Sequence, residues 1–133
     1  MTLAQIRDWL KTQVDCPHWY IGKIDGSKDT CIGIYGRPTP DRVKPTIGGM
    51  ENRSYALKAV SILVHWGKNA NLAEQKAQEV YVTLIGRSNF KVGNTRIVMI
   101  DMRNCEPVAI GTDENGVYEY VIDAYFFYER GES

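Results

Sequence analysis

Hydrophobic residues at the start of the chain recur every three or four positions. The spacing places four of them on one side of a helix: Leu3, Ile6, Leu10 and Val14. Thr2, just before them, is a residue type that caps helix N-termini, and Pro17 cannot continue a helix. The pattern therefore predicts an amphipathic first helix that ends before Pro17 and packs by its apolar side on the rest of the molecule.

Two β-prone segments follow, at residues 19–24 and 30–35. Asp25, Gly26 and Ser27 separate them, and the glycine can take the positive φ that a tight reversal needs. This arrangement predicts a β-hairpin.

Residues 36–52 differ in composition from the segments on either side. They include three prolines and a glycine pair: Pro38, Pro40, Pro45, Gly48 and Gly49. Proline can neither donate into a sheet ladder nor continue a helix, so a long loop is predicted. Loops of this length in compact domains usually bind something or order on assembly, although plain surface variability is an equal alternative.

Residues 53–66 alternate in the manner of a strand, and both faces of that strand are apolar. One face carries Tyr55, Leu57, Ala59 and Leu63. The other carries Val60, Ile62, Val64 and Trp66. The pattern predicts a central strand, covered by helices on one side and by its own chain or a neighbour on the other.

A second helix is predicted to begin near Asn71, which together with Glu74 approximates a capping box. Its apolar stripe continues to Gly86 through Ala73, Ala77, Val80, Tyr81 and Leu84.

The remainder of the chain predicts strands. These run from about Phe90 or Thr95 to Met102, around Val108 to Ile110, and from Val117 to Tyr128, with a turn at residues 113–116. In the last strand one face is apolar: Tyr118, Tyr120, Ile122, Ala124, Phe126 and Tyr128. The other face alternates carboxylates with apolar groups: Val117, Glu119, Val121, Asp123, Tyr125, Phe127 and Glu129. Such a mixed face suits an interface.

The order of elements predicts an α+β fold with a mostly antiparallel sheet of about five to six strands and two main helices packed on it. The length of 133 residues suits a single domain spanning residues 1–133. Sixteen basic residues balance sixteen acidic ones, so the net charge offers no general attraction to nucleic acid. We find no signal peptide and no stretch of about 20 apolar residues that would span a membrane.

Few residues suggest chemistry. Cys16, Cys31 and Cys105 have no spacing typical of a zinc site or a disulfide framework, which fits a reducing cytosol. Cys16 and His18 lie close in sequence but lack an orienting third group.

The remaining histidine and the clustered acids also have ordinary explanations. His65, on the long strand, is more typical of a hydrogen-bonded core or interface imidazole than of a metal ligand. Acidic pairs at residues 25 and 29, and at 113 and 114, are explained by the preference of such side chains for turns. The sequence therefore predicts no enzyme, no cofactor and no metal site.

Five segments in the same order resemble the minor capsid protein family of siphophages and prophages, which is related to tail terminator and tail-completion proteins. The segments are residues 19–25 (WYIGKID), 32–35 (IGIY), 47–55 (IGGMENRSY), 63–69 (LVHWGKN) and 114–120 (ENGVYEY). The specificity of the resemblance lies in the series, because each segment is short.

The resemblance implies a structural subunit of the virion, assembled in the host cytoplasm without a membrane. Such subunits form a homo-oligomeric ring, often a hexamer, that caps the tail tube protein and meets the head–tail connector, while DNA passes through the lumen. On charge alone, lumen candidates are Arg37, Arg42 and Lys44 in the long loop, and Arg87 and Lys91 after the second helix.

Tyr125 and Phe127 are the aromatic interface candidates. Two alternatives stay open. One is an intracellular protein-binding module that uses the 36–52 loop. The other, weaker alternative is a small enzyme built on Cys16 or Cys31.

Overall fold

The structure is a computed structural model that describes residues 1–39 and 55–129. The elements in this part of the chain are α1 (Leu3–Lys11), β1 (Trp19–Ile21), β2 (Thr30–Gly36), β3 (Tyr55–Trp66), α2 (Ala70–Leu84), β4 (Ser88–Val92), β5 (Thr95–Met102), β6 (Val108–Thr112) and β7 (Tyr118–Glu129). Most of the predicted 36–52 loop lies outside these residues.

The strands form one open sheet in the order β1-β2-β3-β7-β5-β4, with β6 also paired to β7. Every pair is antiparallel except β1 with β2. The predicted α+β class, with its mostly antiparallel sheet and two helices, is confirmed. The described part of the sheet has seven strands rather than five to six, because the strand predicted near residues 90–102 is divided at Gly93, whose φ is +62°.

The first helix begins as the sequence predicts. The Thr2 hydroxyl accepts a hydrogen bond from the Gln5 amide at 3.2 Å, and the Gln5 side chain accepts one from the Thr2 amide at 2.8 Å. This reciprocal cap satisfies two N–H groups that the first turn leaves without helical partners. Ile6, Leu10 and the following Val14 are buried in the core.

The N-cap of the second helix lies two residues before the predicted one. Asn69, not Asn71, is the N-cap: its backbone is extended and its side chain accepts a hydrogen bond from the Leu72 amide at 3.0 Å. Both asparagines suit a cap, and the backbone conformation selects the first. The predicted stripe is confirmed, because Ala73, Ala77, Val80, Tyr81 and Leu84 are all buried.

The predicted hairpin of residues 19–35 is wrong. Strands β1 and β2 run parallel, with Trp19 opposite Ile32 and Ile21 opposite Ile34. The chain leaves β1 at Gly22, whose φ is +81°, and loops back to begin β2 in the same direction. The antiparallel partner of β2 is instead the long strand β3.

Both helices pack on the same side of the sheet. Their buried side chains form one core cluster with residues of five strands, including Ile32, Ile62, Ile97 and Phe126. Strand β3 is central, between β2 and β7, as predicted, and one of its faces is covered by helices. The other side of the sheet is therefore the place to look for a functional surface.

Candidate functional site

Side chains alternate across a strand, so the residues between the core positions point away from the helices. We term this side the outer face. It comprises Leu57, Ala59, Ser61 and Leu63 of β3, Val121, Asp123, Tyr125 and Phe127 of β7, Met99 and Asp101 of β5, and Val108 of β6. The strand register places these residues side by side, because Leu57 lies opposite Phe127 and Phe127 lies opposite Met99.

The chain itself closes the outer face at the β2 end. Gly33 lies there beneath Ile24, and a Cβ at Gly33 would approach Ile24 Cγ2 to 2.6 Å. The Ile24 amide also donates a hydrogen bond to the Tyr35 hydroxyl at 3.2 Å. Glycine at position 33 thus allows Ile24 to lie directly on the sheet.

The outer face is less covered at β3, β7 and β5. Leu57, Leu63, Tyr125 and Phe127 are half-buried, and Met99 is exposed. The rings of Tyr125 and Phe127 meet edge to face with centroids 6.5 Å apart. In the described part of the chain both helices lie on the opposite side of the sheet, so these apolar groups are left for another surface to cover.

Charged groups on the outer face are paired with one another. Asp123 accepts a hydrogen bond from Ser61 at 2.7 Å and forms an ion pair with Arg37 at 2.6 Å. The Arg103 guanidinium lies 4.3 Å from the centroid of the Tyr125 ring and pairs with Asp101 at 2.8 Å. The alternation of carboxylates and apolar groups along β7 is therefore matched by neighbouring cations, as at the rim of a protein interface.

Strand β6 is a second exposed feature that the sequence patterns did not identify as a site. All five of its residues are exposed, among them Val108 at 41% and Ile110 at 51%. Within the described residues it pairs only with β7, which leaves its other edge open. The available signal was the three β-branched residues of so short a strand, Val108, Ile110 and Thr112. An apolar open edge favours pairing with another chain.

The residues predicted to form an interface or to face the lumen lie in different parts of the structure. Arg37, Tyr125 and Phe127 come together on the outer face. Arg87 lies on the helical side, where its guanidinium is 5.3 Å from the Trp9 ring centroid and its Nε donates to the Thr83 carbonyl at 2.9 Å. Lys91 is exposed on β4. Arg42 and Lys44 lie outside the described residues.

The thiols of Cys16 and Cys31 lack the environment of a nucleophile. The Cys16 thiol donates to the His18 carbonyl at 3.2 Å rather than to the imidazole, and burial raises its pKa. Burial also raises the pKa of Cys31 to about 12. Because the thiolate is the reactive form, burial lowers the reactivity of both side chains near neutral pH.

His65 lies at the end of β3, fully buried, between two carboxylates. Its Nδ1 is 2.8 Å from Glu119, the residue opposite it on β7, and its Nε2 is 3.7 Å from Asp113. This confirms a hydrogen-bonded imidazole.

Asp113 caps its turn by accepting from the amides of Asn115 and Val117, each at 2.9 Å, as the turn preference predicts. Those amides, together with the nearby imidazole and Lys68, hold the pKa of Asp113 below its usual value, against the opposing effect of burial.

No helix among the described residues has the length and apolar character needed to cross a membrane. A comparison with curated proteins finds no match to the chain. A family model described as bacteriophage tail terminator protein matches residues 2–130. Members of that family are structural, non-enzymatic phage proteins. Since the match spans nearly the whole sequence, this chain belongs to the bacteriophage tail terminator family.

Proposed function

We propose that this protein assembles into a homo-oligomeric ring at the end of the phage tail tube, where it stops tube growth and joins the tube to the head–tail connector. The observation that carries the proposal is the partly exposed apolar patch at Leu57, Leu63, Tyr125 and Phe127, in a chain of the tail terminator family. Burying half-exposed aromatic groups against a neighbour is a main source of association energy.

A closed ring needs two different surfaces on each subunit, because head-to-tail contacts join unlike patches. The outer face supplies the first patch. The open edge of β6, where Ile110 is 51% exposed, supplies the second. The predicted 36–52 loop is the segment that we expect to contact a neighbour or a tube subunit. The geometry with which these patches meet determines how many subunits close the ring. The family resemblance implies six.

In this proposal the tail tube protein and the head–tail connector bind opposite ends of the ring, and DNA is a passenger in the lumen. The balanced charge of sixteen basic and sixteen acidic residues suits a passage that does not hold DNA tightly. Of the basic residues predicted to face the lumen, Lys91 is exposed, whereas Arg37 forms an ion pair with Asp123. The subunits are then virion components that assemble in the host cytoplasm.

The test is a charge substitution on the outer face. We expect the double variant Tyr125→Glu, Phe127→Lys to remain folded, because both side chains are only half-buried, but to fail to form rings. Light scattering after size exclusion, with purified tail tubes present and absent, measures assembly. Electron microscopy of phage made with the variant should show tails of uncontrolled length or heads without tails.

The control is Val82→Lys on α2, where the side chain is 65% exposed on the helical side of the molecule. It should assemble normally. Rings and normal tails from the outer-face variant would overturn the proposal. Deletion of residues 36–52 distinguishes the ring from the alternative of a protein-binding module. The alternative predicts that the deletion abolishes partner binding and leaves tail length unchanged.

A further inference from the structure

The imidazole of His65 is the one described polar side chain that is buried with an atom lacking a hydrogen-bond partner, namely Nε2. Buried polar groups without partners are costly and uncommon in folded proteins. Such an atom therefore points to a group that the protein chain alone does not supply.

The hydrogen bond on the opposite side of the ring determines what Nε2 can bind. An ionised Glu119 can only accept, so the proton of a neutral imidazole lies on Nδ1, 2.8 Å from Glu119 Oε2. Nε2 then carries a lone pair. It faces Asp113 Oδ2 at 3.7 Å, and the other oxygen of that carboxylate is already held by two backbone amides.

Two acceptor atoms thus point at each other across a gap too long for a hydrogen bond. A cation bound between them satisfies both, as does a water molecule that donates one hydrogen bond to each. Zinc binds nitrogen and oxygen ligands at about 2.0–2.2 Å, so two ligands of a tetrahedral zinc ion lie about 3.3–3.6 Å apart. The observed 3.7 Å needs only a small side-chain adjustment to match that separation.

We propose that His65 Nε2 and Asp113 Oδ2 bind a divalent transition-metal ion of the zinc type, with water completing its coordination. Glu119 is the positioning residue: it orients the imidazole through Nδ1, as carboxylates do behind many metal-binding histidines. Atoms of His65, Asp113 and Glu119 that are able to bind a metal lie within 4.8 Å of one another. Asp113 is partly exposed, which gives the ion and its waters a route from solvent.

The site was not visible in the sequence because its residues are distant along the chain. His65 ends β3, Glu119 lies opposite it on β7, and Asp113 belongs to the turn between β6 and β7. A bound ion would tie this turn to the centre of the sheet and so hold β6 in place. The inference goes beyond the proposed ring and does not depend on it.

The experiment titrates chelator-treated full-length protein with Zn²⁺ in a Cys105→Ser background, because Cys105 is an exposed thiol that could bind the ion instead. Calorimetry should give one bound ion per chain. The ¹⁵N resonance of His65 Nε2 should shift on binding, and the melting temperature should rise. A buried imidazolium with no metal is the competing outcome, in which Zn²⁺ leaves the Nε2 resonance unchanged.

Two variants test the assigned roles. Asp113→Asn keeps an oxygen that can accept from the turn amides but places an NH₂ group toward Nε2, so Zn²⁺ binding should weaken by at least about tenfold. Glu119→Gln removes the carboxylate behind the imidazole and should weaken Zn²⁺ binding about 10- to 100-fold. Asp25→Asn is the matched control, since Asp25 accepts from the Ser27 amide and hydroxyl in a similar turn. Equal Zn²⁺ affinity in Asp113→Asn, or no shift of Nε2 in the parent protein, would overturn the proposal.

Discussion

At the scale of single residues, burial decides which of the three cysteines can react. Cys31 is fully buried opposite His65, Cys16 is half-buried beside the start of β1, and Cys105 is exposed. Burial disfavours the charged thiolate, so the pKa of Cys31 rises to about 12. The alternative of a cysteine-dependent enzyme requires the opposite shift.

We expect Cys105 to be alkylated first by iodoacetamide at about pH 8 and Cys31 to be protected until the chain unfolds. A rise in pKa from 9.0 to about 12 lowers the thiolate population by roughly a thousandfold. Peptide mass spectrometry over a time course measures the three rates, and labelling in concentrated guanidinium chloride is the control. Rapid labelling of Cys31 in the folded protein would contradict the assignment.

The raised pKa of Cys31 also makes the free energy of unfolding depend on pH. A thiol whose folded pKa is raised stabilises the folded state fully below its unfolded pKa, and that contribution is lost as the pH rises toward the folded pKa. For Cys31 the window lies between about 9 and about 12.

At the scale of elements, the cap of α2 offers a discriminating substitution. Asn69→Ala removes the side chain that accepts from the Leu72 amide, so the free energy of unfolding should fall by about 1 kcal/mol. Asn71→Ala, two residues later in the first turn of the helix, is the matched control and should cost far less. Urea denaturation followed by circular dichroism measures both. A larger loss from Asn71→Ala would place the helix start where the sequence pattern predicted it.

Elements that depend on local pattern were predictable from the sequence. The buried stripe of α2 and the cap of α1 follow from spacing and residue type, and the structure confirms both. The exact cap of α2 did not follow, because Asn69 and Asn71 are equally good caps in isolation and only the backbone conformation separates them.

Pairing between distant segments could not be predicted in the same way. The residues Asp25, Gly26 and Ser27 do form a turn, with Asp25 bonded to Ser27, yet the strands on either side run parallel. Strand β2 pairs with β3 instead, and nothing near residue 30 encodes that choice. The cluster of His65, Asp113 and Glu119 depends on the β3–β7 register and was invisible for the same reason.

At the scale of the whole molecule, the sheet is covered unequally. Both helices bury one side, whereas on the other side Leu57, Leu63, Tyr125 and Phe127 are only half-buried within the described residues. Strands β3 and β7 have neighbours on both edges, whereas β6 pairs on one edge alone. The open edge of β6 therefore lies next to the apolar part of the outer face.

This asymmetry predicts the pattern of amide hydrogen exchange. In the free subunit the amides of β3 and β7 should exchange only on global unfolding, whereas those of β6 should exchange through local opening. If the edge of β6 pairs with a neighbouring subunit, its protection should rise strongly in assembled particles, while that of β7 changes little. Exchange measured by mass spectrometry on free and assembled protein tests this. Protection of β6 that is already equal to that of β7 in the free subunit, or unchanged on assembly, would rule out the open edge of β6 as the second patch of the proposed ring.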